Sequence, residues 1–414
     1  MDTLDIKFRD PAVEEFDTRT LLKNAERQAR QRHYEDFLII DVDAHHYESE
    51  SFDQIVDYIE DPIIRHSAKA KKGMGAGRPS ITNTQVGYQD VSGRVPRYTQ
   101  RRSEKTPPSP HRDVTLTKRW MDAMGIDMVC LFPTPMLQLG LHPQVEVEVA
   151  LSRAYNRWLV DTILTSEPRF RSMLYLPFND AEACYKMVKD FGDKKGVVGF
   201  MVTAARYKPV HDNAYMKTYA LMEEMGLPLS FHAAYNWDDR TLGNTNRFIT
   251  AHALGFTVFN MINLANWVVN GLPERFPKLR VSWIESGLAW VPFMMQRFDN
   301  EYMMRSSECP SLKTKPSDYM RQMYYTTQPM EMVNNRSMLQ ETFKMMNAET
   351  QLCYASDYPH WDMDLPSTIY DLPFLDEKAK RNILGANAQR FFDIKEPAYC
   401  DWKIAARAAK AAAQ

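Results

Sequence analysis

The chain has 414 residues, 44% hydrophobic and 25% charged, with 20 Phe, 20 Tyr and 8 Trp. That aromatic load excludes a disordered chain, and the length admits either two or three domains or one barrel of about 250 residues or more. With 51 basic and 53 acidic side chains the net charge is −2, so bulk charge favours neither a nucleic-acid nor a membrane partner.

The N-terminal MDTLDIKFRDPAVEEFD is acidic and lacks an apolar core, so it does not read as a signal peptide. Residues 1–36 are charged and helical in pattern. The stretch LLKNAERQARQRHYEDF reads as an exposed or interface helix, which defines an N-terminal helical extension. From residue 37 eight short β-rich apolar runs follow: FLIIDVD, DMVCLFP, RSMLYLP, VVGFMV, LPLSFH, LRVSWIE, MYYTTQ and QLCYASD. Most are flanked by helical patterns such as VEVALSRAYNRWLVDTIL and NAYMKTYALMEEMG. Buried parallel strands read as continuous apolar runs, and alternation of strand and helix eight times over is the arithmetic of an α/β (β/α)8 barrel, here placed at residues 37–395. A doubly wound sheet would want a glycine-rich turn after the first strand, where DAHHYE stands instead. GMGAG at 73–77 opens no helical pattern and reads as a flexible turn.

The first crossover, residues 60–115, has little periodicity and reads as an insertion over the barrel mouth or an arm toward a partner subunit. Its arginines Arg94, Arg97, Arg101, Arg102 and Arg112 offer recognition of a substrate carboxylate, against the plainer reading of a solvated or intersubunit surface. The apolar stretch from Leu254 to Leu272 is broken by Asn260, Asn263, Asn266 and Asn270, which suits a buried or interface helix better than a bilayer span. Residues 396–414 end in DWKIAARAAKAAAQ, read as a peripheral helical tail. The five cysteines (Cys130, Cys184, Cys309, Cys353, Cys400) contain no CxxC pair. This argues against a disulfide framework or a thiolate zinc site and for a reducing, cytoplasmic setting.

Several polar residues close the predicted strands, and in a (β/α)8 barrel those ends form the active face. The first run ends DVDAHHYE: Asp43 and His45, two apart on an extended chain, can grip one ion, with Glu48 following in the loop. Taken alone, this DxH reads more simply as a capping aspartate and a surface histidine. His232 closes the fifth run, and His252 opens the Asn-rich helix that could face the same cavity. Glu285 closes the sixth, where a buried carboxylate needs a partner or a task; the plain partner is an arginine. The eighth ends LCYASDYPHWD, placing Asp357 at the rim with His360 three residues on. Asp362 and Asp364 read as solvated loop or helix cap. The conjunction of Asp43, His45, His232 and Asp357 on one rim points to a divalent ion, Zn, Mn or Fe, because two imidazoles select against Mg or Ca. Glu48, His252, Glu285 and His360 are enough further ligands for a second ion. Such a metal activates water or polarises a carbonyl or phenolate oxygen. Glu285, His252 and Asp357 are the candidates for moving protons.

The stretches DVDAHHYE, GIDMVCLFP, LSRAYNRWL, GLPLSFHA, NGLPERFPKLRVSWIESGLAWVPFMMQRFD, YASDYPH and NILGANAQRFF run in order from residue 37 to 392. In them the chain resembles the amidohydrolase superfamily, in its amidohydrolase-related branch with aminocarboxymuconate-semialdehyde decarboxylase and the resorcylate and vanillate-type decarboxylases. The resemblance implies a distorted (β/α)8 TIM barrel with a metal at its mouth. It places the branch's first-strand ligand pair on Asp43 and His45, its fifth-strand histidine on His232 and its eighth-strand aspartate on Asp357. The chain departs from the branch at Asp43, where His or Glu is usual, and at Glu285, where a catalytic histidine stands. The DxHxxE spacing and the extra acids are also similar to relatives such as the α-aminoisobutyrate hydroxylase system, which use a dinuclear iron or iron–manganese site for oxygenation.

Three readings follow. The first is a metal-dependent enzyme that hydrolyses or non-oxidatively decarboxylates a small carboxylated, aromatic or cyclic substrate. The second is a dinuclear oxygenase on the same fold. The third is a non-catalytic barrel subunit supporting an active partner. A homodimer, or a hetero-oligomer with a related subunit, fits all three.

Overall fold

The computed structural model describes residues 18–71, 106–234, 236, 239–331, 335–360 and 362–412. Eight strands follow one another around a parallel sheet in sequence order. They are β1 (Ile40–His46), β2 (Met128–Pro133), β3 (Phe170–Tyr175), β4 (Val197–Thr203), β5 (Leu229–His232), β6 (Val281–Ile284), β7 (Tyr324–Thr326) and β8 (Leu352–Cys353). Each falls on one of the eight apolar runs, and the whole is a (β/α)8 barrel. Almost every strand residue is buried, because helices cover the outside while side chains fill the inside. The covering helices include α1 (Thr18–Gln31), α2 (Phe52–Asp57), α3 (Pro62–Lys71), α4 (Arg112–Met124), α5 (Val145–Trp158), α6 (Ala181–Phe191), α7 (Met216–Glu224), α8 (Phe248–Val269) and α9 (Trp290–Arg305).

The ring closes unevenly. β8 has only two residues, and the segment that follows it meets β1 in one isolated bridge, Ala44 to Tyr358. Main-chain bonds from Val42 N to Tyr354 O (3.0 Å) and Asp357 N to Asp43 O (2.8 Å) extend that seam. Register along β1 and β2 slips between Asp41 and Ala44, a bulge of the kind that re-aims side chains beside functional sites.

Most of the long first crossover, including Arg94, Arg97, Arg101 and Arg102, lies outside the described residues. Arg112 opens α4 and lies 3.6 Å from Asp113, its neighbour in sequence. The Asn-rich stretch is the helix α8. Asn260 and Asn263 are buried and bond strand-end carbonyls, Asn260 those of Phe231 and Ile284 and Asn263 that of Ala204. No helix among the described residues is long and apolar enough to cross a membrane.

The tail is helical and mostly exposed, with one buried anchor. Its helix α10 (Asp401–Ala412) turns Lys403 into the barrel floor, where the fully buried ammonium meets Asp127 and donates to Gly125 O at 3.0 Å. Asp127 also accepts from Ile39 N (2.9 Å) and Cys400 N (3.0 Å). One buried carboxylate therefore joins the first two strands to the C-terminal segment. The alanine-rich composition hid this anchor, because only one lysine carries it.

Candidate metal centre

Asp43 and His45 leave the end of β1, His232 ends β5, Glu285 follows β6 and Asp357 follows β8. All five are buried. His45 Nε2 lies 3.3 Å from Asp43 Oδ1 and 3.3 Å from Asp357 Oδ1. His232 Nε2 lies 3.3 Å from the same Asp43 oxygen, and His232 Nδ1 lies 3.7 Å from Glu285 Oε2. Asp43, His45, His232 and Glu285 form one group able to hold an ion; His45, Asp357 and His360 form another. The ring of Phe132 from β2 packs 5.0 Å from that of His232, an apolar wall beside the polar cluster.

The donors fit a metal ion. Ligands about 2.0–2.2 Å from an ion at tetrahedral or octahedral angles stand about 3.0–3.4 Å from one another, which is the spacing here. The tautomers agree. His45 Nδ1 lies 2.8 Å from Pro133 O and His232 Nδ1 lies 2.8 Å from Ala233 O. A carbonyl only accepts, so both Nδ1 atoms carry hydrogen and both Nε2 atoms face the carboxylates, the nitrogen an ion would take. Asp43 Oδ2, His45 Nε2, Glu285 Oε2 and Asp357 Oδ2 are buried without a hydrogen-bond partner, an expensive arrangement for a site made only of protein.

The electrostatics also call for a cation. Burial pushes the Asp43 carboxyl up, but His232 and then His45 outweigh it and hold Asp43 below the ordinary carboxylate range. Burial likewise opposes charge on His45, yet Asp357 and Asp43 raise it to about 10. Asp357 is lowered, with His360 and His45 overcoming burial. Protons on imidazole here occupy the place a divalent ion would take. Glu285 goes the other way: burial, then the charges of Asp357, Asp43 and Asp362, raise it well above its usual value. Glu285 and Asp357 share a backbone peculiarity, with φ of 57° and 55°. Non-glycine residues in this left-handed region carry strain of about 1–2 kcal/mol.

Other expected residues stand elsewhere. Glu48 belongs to neither group: its two oxygens accept from Thr134 N (2.9 Å) and Met136 N (2.6 Å), tying the loop after β2. His252 also lies outside both groups; its Nε2 is 3.9 Å from Asp362 Oδ2 at the mouth. Asp362 is therefore no merely solvated loop residue. His360 does reach the site, with Nδ1 2.7 Å from Asp357 Oδ1 and its ring stacked on His45 at 4.2 Å. No arginine forms an ion pair with Glu285, Asp43 or Asp357 among the described residues.

Sequence reasoning missed His46. Its Nδ1 meets Asp113 at 3.0 Å and its Nε2 meets Tyr155 OH at 2.8 Å, between β1 and the helices outside. The neighbouring histidines face opposite ways, and strand alternation was the available signal.

Fold and site together define a (β/α)8 barrel with a candidate carboxylate-and-imidazole metal centre at the C-terminal rim. The chain belongs to the amidohydrolase family, whose sequence model matches residues 42–394. It is similar to the gamma-resorcylate decarboxylase of Polaromonas sp. (strain JS666), 21% identical over 287 residues, or 67% of this chain and 86% of that protein. The 5-carboxyvanillate decarboxylase of Sphingomonas paucimobilis superposes with a TM-score of 0.61 at 21% identity, over 87% of this chain and 100% of the other. The 5-carboxyvanillate decarboxylase of Novosphingobium aromaticivorans, solved with manganese and 4-hydroxy-3-methoxy-5-nitrobenzoic acid, gives 0.62 at 17% identity, over 87% and 97%.

Proposed function

We propose that this chain is a metal-dependent carboxy-lyase that releases CO2 from a small aromatic acid, with hydrolysis of a small carboxylated substrate as the neighbouring chemistry of the same centre. The observation that carries the reading is the convergence of Asp43, His45, His232 and Asp357 from β1, β5 and β8, with 3.3 Å between successive donors. Asp43, His45 and His232 would hold the ion, with Asp357 completing the set from its place beside His45, and manganese in a relative's structure favours that metal. The ion supplies a Lewis acid for the substrate's carboxylate and phenolic oxygens. Glu285, beside both ligand carboxylates, holds the proton that replaces the departing carboxylate on the ring carbon. Phe132 walls the site against water. His252 and Asp362 stand at the mouth, where a proton can be exchanged with solvent.

The test is to load purified protein with Mn²⁺, count ions per chain by elemental analysis, and follow CO2 release from a panel of hydroxybenzoates. One ion per chain with stoichiometric CO2 supports the reading. Metal-loaded protein that releases CO2 from none of them removes it.

A second reading has its own observation. Thr134 Oγ1 donates to His46 O (3.0 Å), so it can only accept from His360 Nε2 at 3.3 Å. That fixes hydrogen on Nε2 and sets Nδ1 2.7 Å from Asp357 Oδ1, a pair of atoms that with His45 could share an ion. His360 would then serve a second ion, as in a dinuclear iron or iron–manganese oxygenase. This predicts two ions, about 3.5–4 Å apart, and O2 consumption; a count of one ion per chain removes it.

The same proposal places the protein in the cytoplasm, which suits five unpaired cysteines. It also pairs the chain with a copy of itself or a related subunit. The support is α8, which carries no Asp, Glu, Lys or Arg and exposes Ile249, Leu254 and Ile262. Mass by light scattering tests this, and a monomer at micromolar concentration overturns it.

A further inference from the structure

Asp41 is completely buried and stands two residues before Asp43. Its Oδ1 accepts from Ser356 N at 2.9 Å and from Asp43 N at 3.2 Å. Its Oδ2 bonds the hydroxyl of Ser356, and that hydroxyl in turn accepts from Tyr358 N at 3.0 Å. The three amides held this way belong to Asp43 itself and to the two neighbours of Asp357. One carboxylate thus fixes the backbone under both carboxylates of the candidate centre. It does so where the fold is least able to. β1 bulges between Asp41 and Ala44, β8 has two residues, and a single bridge crosses the seam. A ligand set has to be held within about 0.5 Å of its working geometry, and a two-residue strand followed by a left-handed aspartate does not supply that alone.

We propose that Asp41 and Ser356 form a positioning pair that sets Asp43 and Asp357 for metal binding without touching the ion. The inference rests on the metal centre argued under the proposed function. A structural clasp with no influence on the centre would stabilise the metal-free chain and leave its affinity for metal untouched. A positioning pair has to change the affinity as well.

The experiment measures Mn²⁺ binding by titration calorimetry and the Mn²⁺ electron paramagnetic resonance spectrum for wild type, Asp41→Asn and Ser356→Ala, with metal-free melting curves in parallel. The expected result is a loss of about 10–100-fold in Mn²⁺ affinity for Asp41→Asn, the usual effect of removing a ligand's outer partner, and an altered spectrum for the ion still bound. Ser356→Ala keeps the main-chain amide and removes only the hydroxyl, so it loses less affinity; if Asp41→Asn does not fold, it decides alone. Variants that melt earlier when metal-free yet bind Mn²⁺ within about twofold of wild type, far from that 10–100-fold range, overturn the inference. Wild type that binds neither Mn²⁺, Fe²⁺ nor Zn²⁺ overturns the metal reading and this inference with it, a result distinct from equal binding by all three proteins.

Discussion

At the scale of single residues, the site is a contest between burial and charge. Asp357 sits buried with one oxygen toward His45 and His360 and the other without a partner. Asp357→Asn keeps the shape and removes the charge, so turnover should fall by at least about two decades, the lower end for a positioned acid or base. Steady-state rates on whichever substrate wild type decarboxylates check this; wild-type rates would count against any role for the residue. Glu148 gives a cleaner pH test, since it stands apart from the ligands. It lies in the first turn of α5, fully buried, accepting from Asn179 Nδ2 at 2.8 Å and Tyr175 OH at 3.4 Å. Burial, only partly offset by Asn179 and Tyr175, raises it from 4.5 to about 7. Between those values the folded chain keeps a proton that the unfolded chain releases. Its contribution is therefore complete below 4.5 and lost as pH rises through about 7. Urea midpoints should fall over that window in wild type and fall less in Glu148→Gln. Identical pH profiles for the two would show Glu148 to be already ionised in the native state.

At the scale of elements, much was readable and the failures have physical causes. Eight apolar runs marked eight strands because parallel strands are buried on both faces. The seventh and eighth were overestimated, for MYYTTQ and QLCYASD contain only Tyr324–Thr326 and Leu352–Cys353 as strand. The remaining residues of those runs turn away to carry Gln328 and Asp357, and an apolar run does not say where the ladder stops. Asp43, His45, His232 and Asp357 could be named because each ends such a run. Glu48 was equally legible as an acid near the rim, but a sequence shows no main-chain amides, and two of those claim it. Asp362 was dismissed since loop position was all that could be seen. Gly287 illustrates an element held by a close approach. Its φ is 77°, and a Cβ there would strike the carboxylate of Glu331. That carboxylate accepts from Leu288 N (2.9 Å) and Ala289 N (3.2 Å), at the entry to α9. Gly287→Ala should lower stability by about 1–2 kcal/mol from the left-handed backbone alone, read as an earlier denaturant midpoint with unchanged slope.

At the scale of the whole molecule, the C-terminal helix is anchored under the barrel. Lys403 and Asp127 are a buried pair beneath β1 and β2, far in sequence and fully enclosed. Lys403→Met would strand a buried carboxylate, and removing one partner of such a pair costs about 3–5 kcal/mol. Melting curves that match wild type would mean that the helix α10 contributes nothing to the fold.

The uneven seam has a consequence of another kind. The candidate ligands sit on the first strand, the fifth and the last, so an ion bound there is a drawstring pulled across the one gap in the wall. Stripping the ion with a chelator should then loosen the molecule at a particular place. Amides that cross the gap, those of Val42, His45 and Asp357, should exchange with deuterium early, while those between β4 and β5 stay protected. A ligand at one hundred times its dissociation constant adds about 2.7 kcal/mol, enough to make this folded ring tighter or slacker with the supply of metal around it.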